Sequence, residues 1–358
     1  MQAAVARLAP DAPPEALELD VLRDAAGAPT GLRLAWLAPP VAPGERAIVP
    51  VAVGGADVAR DVRRFETRDT ETGREWWHSG RPVLGFEHGY DAARHADTFR
   101  TFHHLAGLHG EGWLTKGPGG KYPHQRGVFV GFDRILVGNQ RHDLWTIDEV
   151  RRPRQLHDSF TDEHLGIWRA RHTSRGRWLG NGGVLIADEA RTVELWRPSH
   201  GLVCFDHEVA LTPRVTTSFL GNPAHAGVHV RLAERWFTAT QQGRLVLPAD
   251  ATDHPYDGDS WTARWCAFRF SADERVYALV QLAHPANPPG APPVFNGRGY
   301  GRFGAFSEHR AARGEALVLR HRFVLVEAPG EEAALRARAE ALAGAYAQPP
   351  QLAVRRLR

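Results

Sequence analysis

Lysine is nearly missing from this 358-residue chain: Lys116 and Lys121 are the only two among 44 basic residues, and the rest are arginines. The arginines interleave with 41 acidic residues to a formal charge of +3, with no basic run or stripe. That excludes the electrostatic footprint on which nucleic-acid binders depend. Cysteine is as scarce. Cys204 and Cys266 each sit in an apolar, strand-like context outside any CxxC spacing, which excludes a disulfide framework and points to reduced core residues. No uninterrupted apolar run approaches the length of a membrane span, and MQAAVARLAPDAPPEALELD has no basic region followed by an apolar core. A soluble, cytoplasmic protein with no membrane partner is expected. HExxH, H-x-H, GxSxG and Cys-His signatures are missing too, so neither a metalloprotease nor a nucleophilic hydrolase is signalled.

What is present is ample material for a core, at 43% apolar residues, and many short strand patterns. In ALELDVLRDAAGAPTGLRLAWL, Leu17, Leu19 and Val21 share one face and Leu32, Leu34 and Trp36 another, which predicts a hairpin. Further strands are predicted at 47–53, 83–87, 127–132, 183–188, 191–196, 202–211, 227–233, 244–248, 263–270, 275–283 and 316–328. Strands of this length with little helix between them predict an all-β fold, a large antiparallel sandwich. One helix closes it: Leu335, Ala339, Leu342 and Tyr346 recur at helical spacing behind Glu331 and Glu332. Residues 1–44 read as an N-terminal extension whose hairpin packs on a main domain at 45–358. Asp91 to Pro123 has no sustained period and reads as a long functional loop or a partly disordered one.

Nineteen histidines are the chemical resource. On a strand, HAGVHVRLA puts His225, Gly227, His229 and Arg231 on one face and Val228, Val230 and Leu232 on the other. Such a face is either simply solvated or a place where imidazoles exchange protons or bind metal while arginine fixes an oxygen-rich ligand. KYPHQRGVFVGF crowds Lys121, His124, Gln125 and Arg126 at the mouth of a strand that is apolar on both faces beyond Gly127. Polar groups at the end of a rigid central strand are either loop stabilisers or one lip of a site. Asp143 and Trp145, His157, His284 and Asn287, and Arg298 and Tyr300 in NGRGYGRFGAF, itself readable as a tight turn, complete the candidates. FDHEVAL reads as an ordinary strand with one solvated face. No metal is signalled by spacing; if a divalent ion is bound, His104, His124, His225 and His229 are the candidate ligands.

The order KYPHQRGVFVGF, DLW, QLH, HAGVHVR, ARWCAFRF, HPAN, RGYGRFGAF and GEALVLRHRFVLVEA resembles the bacterial proteins labelled PmoA-like, a family of unknown function. The family's PHHRG motif stands here as Pro123-His124-Gln125-Arg126-Gly127, and its DFWH-like element as Asp143-Leu144-Trp145-Thr146, so two histidines that could serve a metal or proton transfer are replaced. The label invokes methane oxidation, yet a membrane oxygenase subunit would need spanning segments that this chain lacks. The resemblance instead implies a supersandwich like that of galactose mutarotase, in proteins that accompany sugar catabolism. It leads to three expectations. The first is an enzyme doing acid/base chemistry (epimerisation, elimination or glycoside cleavage) on a sugar or oxidised sugar. His225, His229, His124 and His284 would then be catalytic, and Lys121, Gln125, Arg126, Asp143, Trp145, His157, Arg231, Asn287, Arg298 and Tyr300 would bind substrate. The second is a non-catalytic carbohydrate-binding sandwich, and the third a histidine-ligated metal enzyme. A small carbohydrate is the expected partner in each, and a homo-oligomer is compatible with the sequence.

Overall fold

The chain is all-β. The computed structural model describes residues 64–347 except 167, 199–200, 239–242, 256–258, 289–292 and 329, together with the backbone of four strands in the N-terminal segment. In that segment Glu15–Arg23 and Pro29–Ala35 pair antiparallel, with Leu19 opposite Leu34 and Val21 opposite Leu32, as the alternation predicts. How the hairpin packs, and most of the strand expected at 47–53, lie outside the described residues.

Two antiparallel sheets form the body. The eight-stranded sheet runs in the order Arg154–Leu165, Arg169–Leu179, Leu185–Trp196, Leu202–Pro213, Leu317–Glu327, Arg275–Ala283, Trp265–Ala272 and Arg244–Val246. The ten-stranded sheet runs Thr252–Asp253, Ser260–Thr262, Val294–Arg298, Arg302–Ala305, Ala226–Arg231, Val128–Phe132, Phe102–Leu105, Arg81–Glu87, Gly73–His78 and Phe65–Asp69. A small four-stranded sheet, built from Gln140–His142, Arg134–Val137, Thr217–Leu220 and His309–Ala311, adjoins them. Val128, Val130, Val228, Val230 and Phe303 of the larger sheet join Val193, Phe205, Phe268, Phe323 and Leu325 of the other in one buried core. Phe268 stacks on Phe303 with ring centroids 5.4 Å apart. Each such side chain, fully buried, contributes about 1.5–3 kcal/mol. Polar ties cross the interior as well: Gln155 donates to the Val130 carbonyl at 2.9 Å and Gln281 to that of Val228 at 3.1 Å.

The helix Glu332–Ala347 covers the far face of the eight-stranded sheet, burying Leu335 and Ala339 against Trp265, Val280, Leu282 and Val324. The cysteines are unpaired, Cys266 in the core and Cys204 partly buried. Two expectations need correction. The strands expected at 183–188 and 191–196 are one continuous strand, because Ala190 and the inward-facing Arg191 carry the ladder through what reads as a break. The stretch 91–123 is neither structureless nor disordered: it holds a short helix, His95–Thr98, and the wholly buried strand Phe102–Leu105.

Candidate functional site

The outer face of the ten-stranded sheet, turned away from the core, carries the motifs singled out above. His229 lies in register between Phe129 and Gly304, and Arg231, Arg302 and Arg298 form the next row on three adjacent strands. Gly304 is required there, since a Cβ would come within 2.4 Å of the His229 ring. Gly127 is required at the strand mouth: its φ is +32°, and a Cβ would meet the His103 carbonyl oxygen at 2.1 Å.

Beyond Gly127 the chain folds back as a lip. Lys121 and Tyr122 are exposed, His124 is half-buried, and Gln125 and Arg126 are buried. Arg126 does not reach out: its guanidinium donates to the carbonyls of Pro123, Ala96 and Asp97 and lies over the Phe99 ring. It stitches the lip to the short helix. Arg100, which the sequence reading missed, donates to the carbonyls of His124 (3.0 Å), Leu144 and Trp145 (2.9 Å). That side chain fixes the lip beside the turn at Asp143, whose carboxylate accepts from the backbone N–H groups of Trp145 and Thr146. Trp145 is fully buried, edge-on to His229 at 4.8 Å and to His225 at 5.6 Å, so it forms the floor and offers no stacking face to a ligand. The accessible aromatics are Tyr122 and Tyr300, 5.3 Å apart.

His225 is half-buried, with 45% of its side chain exposed and its ring 4.0 Å from the Asp133 carboxylate. Its Nδ1 faces the Asn222 amide nitrogen at 3.2 Å, and that amide is oriented because its oxygen already accepts from the Ala224 N–H. Nδ1 therefore accepts, and the neutral ring carries its proton on Nε2. Burial, then Arg302 and Arg298 against the opposing pull of Asp143, lowers its pKa. His124 is close enough to feel the charge on His225; burial, followed by Arg100, His225, Lys116 and Arg126, holds it down at about 4. His229 is fully buried, with Nε2 on the Ala226 carbonyl at 3.1 Å, and burial lowers its pKa well below the ordinary range. The accessible pair is thus His124 and His225, with His229 beneath.

Lys116 was also missed as a site residue. Its backbone links the Arg231 carbonyl to the Gly127 N–H; the residue is 6% exposed, and its ammonium donates to the carbonyls of Gly117 and Gly119. Burial pulls its pKa down to about 8, with Glu234 opposing and Arg231 and Arg126 adding to the shift. Arg231 donates to the Tyr300 carbonyl and Glu234 and lies 4.7 Å over the Tyr300 ring, while Arg298 pairs with Asp259.

Other candidates lie elsewhere. His284 lies on the far face of the eight-stranded sheet, in a groove of about 290 Å³ that Arg320, Glu208 and Tyr346 also line; Asn287, nearby, clamps the Arg320 backbone through both amide atoms. His104 stacks on Trp113 at 5.2 Å and bonds Thr115. His157 faces the gap between the sheets, bonding Ser174 at 2.7 Å and packing 4.3 Å from His88. It marks a second cluster. His172, His207 and His321 form one register row on the inner face of the eight-stranded sheet, with His103 from the facing sheet 6.3 Å from His172 and 5.4 Å from His207. Among the described residues no three His, Cys, Asp or Glu side chains are arranged to hold a metal ion, so His104, His124, His225 and His229 do not form a ligand set. Nor, among them, is any helix long and apolar enough to cross a membrane.

No curated protein matches the chain. A family model does match, over residues 75–342, which takes in the eight-stranded sheet, the ten-stranded sheet except its edge strand Phe65–Asp69 and the first residues of the next, the lip, the arginine row and most of the C-terminal helix. The chain belongs to that family, described as a family of unknown function (DUF6807).

Proposed function

We propose that the chain is a carbohydrate-active enzyme that moves protons on a sugar or oxidised sugar, with His225 and His124 as the acid/base pair. One observation carries this reading: two half-buried imidazoles sit within electrostatic reach of each other, and the His124 ring lies 6.3 Å from that of Tyr122, which lies 5.3 Å from that of Tyr300. Epimerisation, elimination and glycoside cleavage all need one group to take a proton and another to give one. The tyrosines supply the flat apolar surface that a pyranose ring covers, and Arg298 and Lys121 supply donors to its oxygens. The test is exchange of carbon-bound hydrogen in D2O, followed by NMR over a panel of sugars, keto-sugars and sugar acids. Exchange or product formation that disappears in His225→Gln and His124→Gln, with Tm within about 2 °C of the parent, supports the proposal; no exchange or turnover on any member removes it.

The tyrosine pair alone would equally suit a sugar-binding module. Binding without exchange, insensitive to pH between 5 and 8, would favour that reading.

A further inference from the structure

Arginine is the cation of this chain almost everywhere, and the only two lysines, Lys116 and Lys121, stand at the two ends of one short turn, KGPGGK, that leads into the lip. Lys116 is buried, and its side-chain nitrogen donates to the carbonyls of Gly117, at 3.3 Å, and Gly119. Holding carbonyls does not call for lysine here, because Arg100 and Arg126 do the same for carbonyls on and beside the lip. What arginine cannot do is shed its proton. A neutral amine has two N–H groups and a lone pair: the two carbonyls take the N–H groups and the lone pair is left over. An ammonium has a third N–H, for which the described residues offer no partner. The charges facing this nitrogen are Glu234, Arg231 and Arg126, and Glu234 forms its ion pair with Arg231 instead. With a pKa of about 8, about a tenth of the amine is neutral at pH 7, against under about a thousandth for an ordinary lysine.

Building on the sugar reading, we propose that Lys116 is a catalytic residue and that the substrate is a sugar with a free carbonyl, an open-chain aldose or a keto-sugar, which it holds as an imine. The amine adds to the carbonyl carbon, forming the C–N bond, and one amine proton passes to the oxygen to give a carbinolamine. The hydroxyl then departs as water with a proton from solvent, the one released when the ammonium became neutral, and leaves a C=N–H cation. Nothing is oxidised or reduced. The imine also explains how the imidazoles can work. A ring of pKa about 4 is too weak a base for a hydrogen beside a plain carbonyl, whereas a cationic imine draws electrons from the neighbouring carbon and makes its hydrogen far more acidic. Lys116 and His124 lie within each other's field, so activated carbon and base share one site. Removal of that hydrogen gives an enamine; reprotonation and addition of water return the carbonyl and the free amine. The turn that supplies the two carbonyls is at the surface, with Pro118 and residues 120–123 exposed, so the amine lies beneath a loop and not in the core.

The experiment is reductive trapping of the full chain at pH 7 with sodium cyanoborohydride and either D-erythrose or dihydroxyacetone, read by intact mass and peptide mapping. Methyl β-D-glucoside, which has no free carbonyl, is the control, and exposed Lys121 reports unselective amination in the same chain. The expected result is an adduct of the sugar's mass less one oxygen, formed at least tenfold faster on Lys116 than on Lys121 and not formed with the glucoside. Lys116→Arg keeps a cation able to hold the two carbonyls, and it should slow hydrogen exchange at least a hundredfold with Tm unchanged, which a purely structural lysine would not do. Trapping on the parent chain stands whether or not that variant folds. Equal modification of both lysines, or modification of Lys121 alone, overturns the proposal. Hydrogen exchange retained in Lys116→Arg overturns it while leaving the acid/base reading in place; a selective Lys116 adduct without exchange on any sugar does the reverse. Neither adduct nor exchange defeats both.

Discussion

The molecule holds two groups of histidines in which burial is the first cause of a lowered pKa, but to very different depths. His103, His172, His207 and His321 lie between the sheets, among Phe86, Trp76 and Phe323, all nearly or fully buried. Both ring nitrogens of His103, His172 and His207 lack a hydrogen-bond partner among the described residues. There burial is the first cause of the lowered pKa, reaching about 3 for His172 and His321, and the rings behave as flat core side chains. His124 and His225 are half-exposed, and charged neighbours add to a smaller desolvation. A ligand can reverse the field of neighbours, whereas it cannot reach the burial of the inner row. Only the outer pair is open to control.

The comparison can be broken in three ways. The largest effect belongs to the inner row. The unfolded chain binds protons at its histidines near 6.5, whereas folded His172 and His321 do so only near 3, so protons favour unfolding. Stability is therefore full above about 6.5 and falls steadily as pH drops toward 3, at up to about 1.4 kcal/mol per unit for each such ring. Urea midpoints across this range should fall steeply, and His172→Phe should flatten the curve; an unchanged slope would show that these rings are hydrated.

A middle-sized effect is expected at Arg126. Arg126→Ala abandons three carbonyls and frees the lip, costing about 3 kcal/mol by chemical denaturation. A loss under about 1 kcal/mol would mean that the guanidinium is not a structural tie and would return it to the ligand-binding set.

The smallest stability effect, with the largest functional one, is expected at His225. His225→Gln should change stability by less than about 0.5 kcal/mol, because the ring is half in solvent and its polar contacts, Asn222 at 3.2 Å and Asp133 at 4.0 Å, are partly exposed. The expected consequence is loss of hydrogen exchange. Destabilisation comparable to that of an inner-row substitution would erase the distinction between the two groups.

Strands whose inner face is mostly apolar were legible, as with Leu202–Pro213 and Leu317–Glu327, where one histidine each, His207 and His321, interrupts a long alternation. The paired strands Arg154–Leu165 and Arg169–Leu179 were not, because in the second, Arg169, His172 and Ser174 take buried positions that periodicity assigns to apolar residues. The same substitution of polar for apolar hid Phe102–Leu105 and split the strand at Arg191. At the site, the motif around His124 and the face of His225 were visible because they punctuate apolar strands. Arg100 and Lys116 were not: Arg100 acts through carbonyls 24 to 45 positions away, and the Lys116 backbone meets that of Arg231 only in the folded chain.

Composition and alternation by themselves determined that this chain forms an antiparallel β protein with a C-terminal helix, because side-chain direction on a strand follows from period two alone. Tertiary structure decided which polar residues are structural and which meet a ligand. His229, Trp145 and Arg126 read like site residues, yet the loops folded over the outer face bury them, while the same loops leave His225 and His124 half in solvent. Solvent exposure and the field of distant charges depend on what packs above a residue, and strand periodicity carries no record of that.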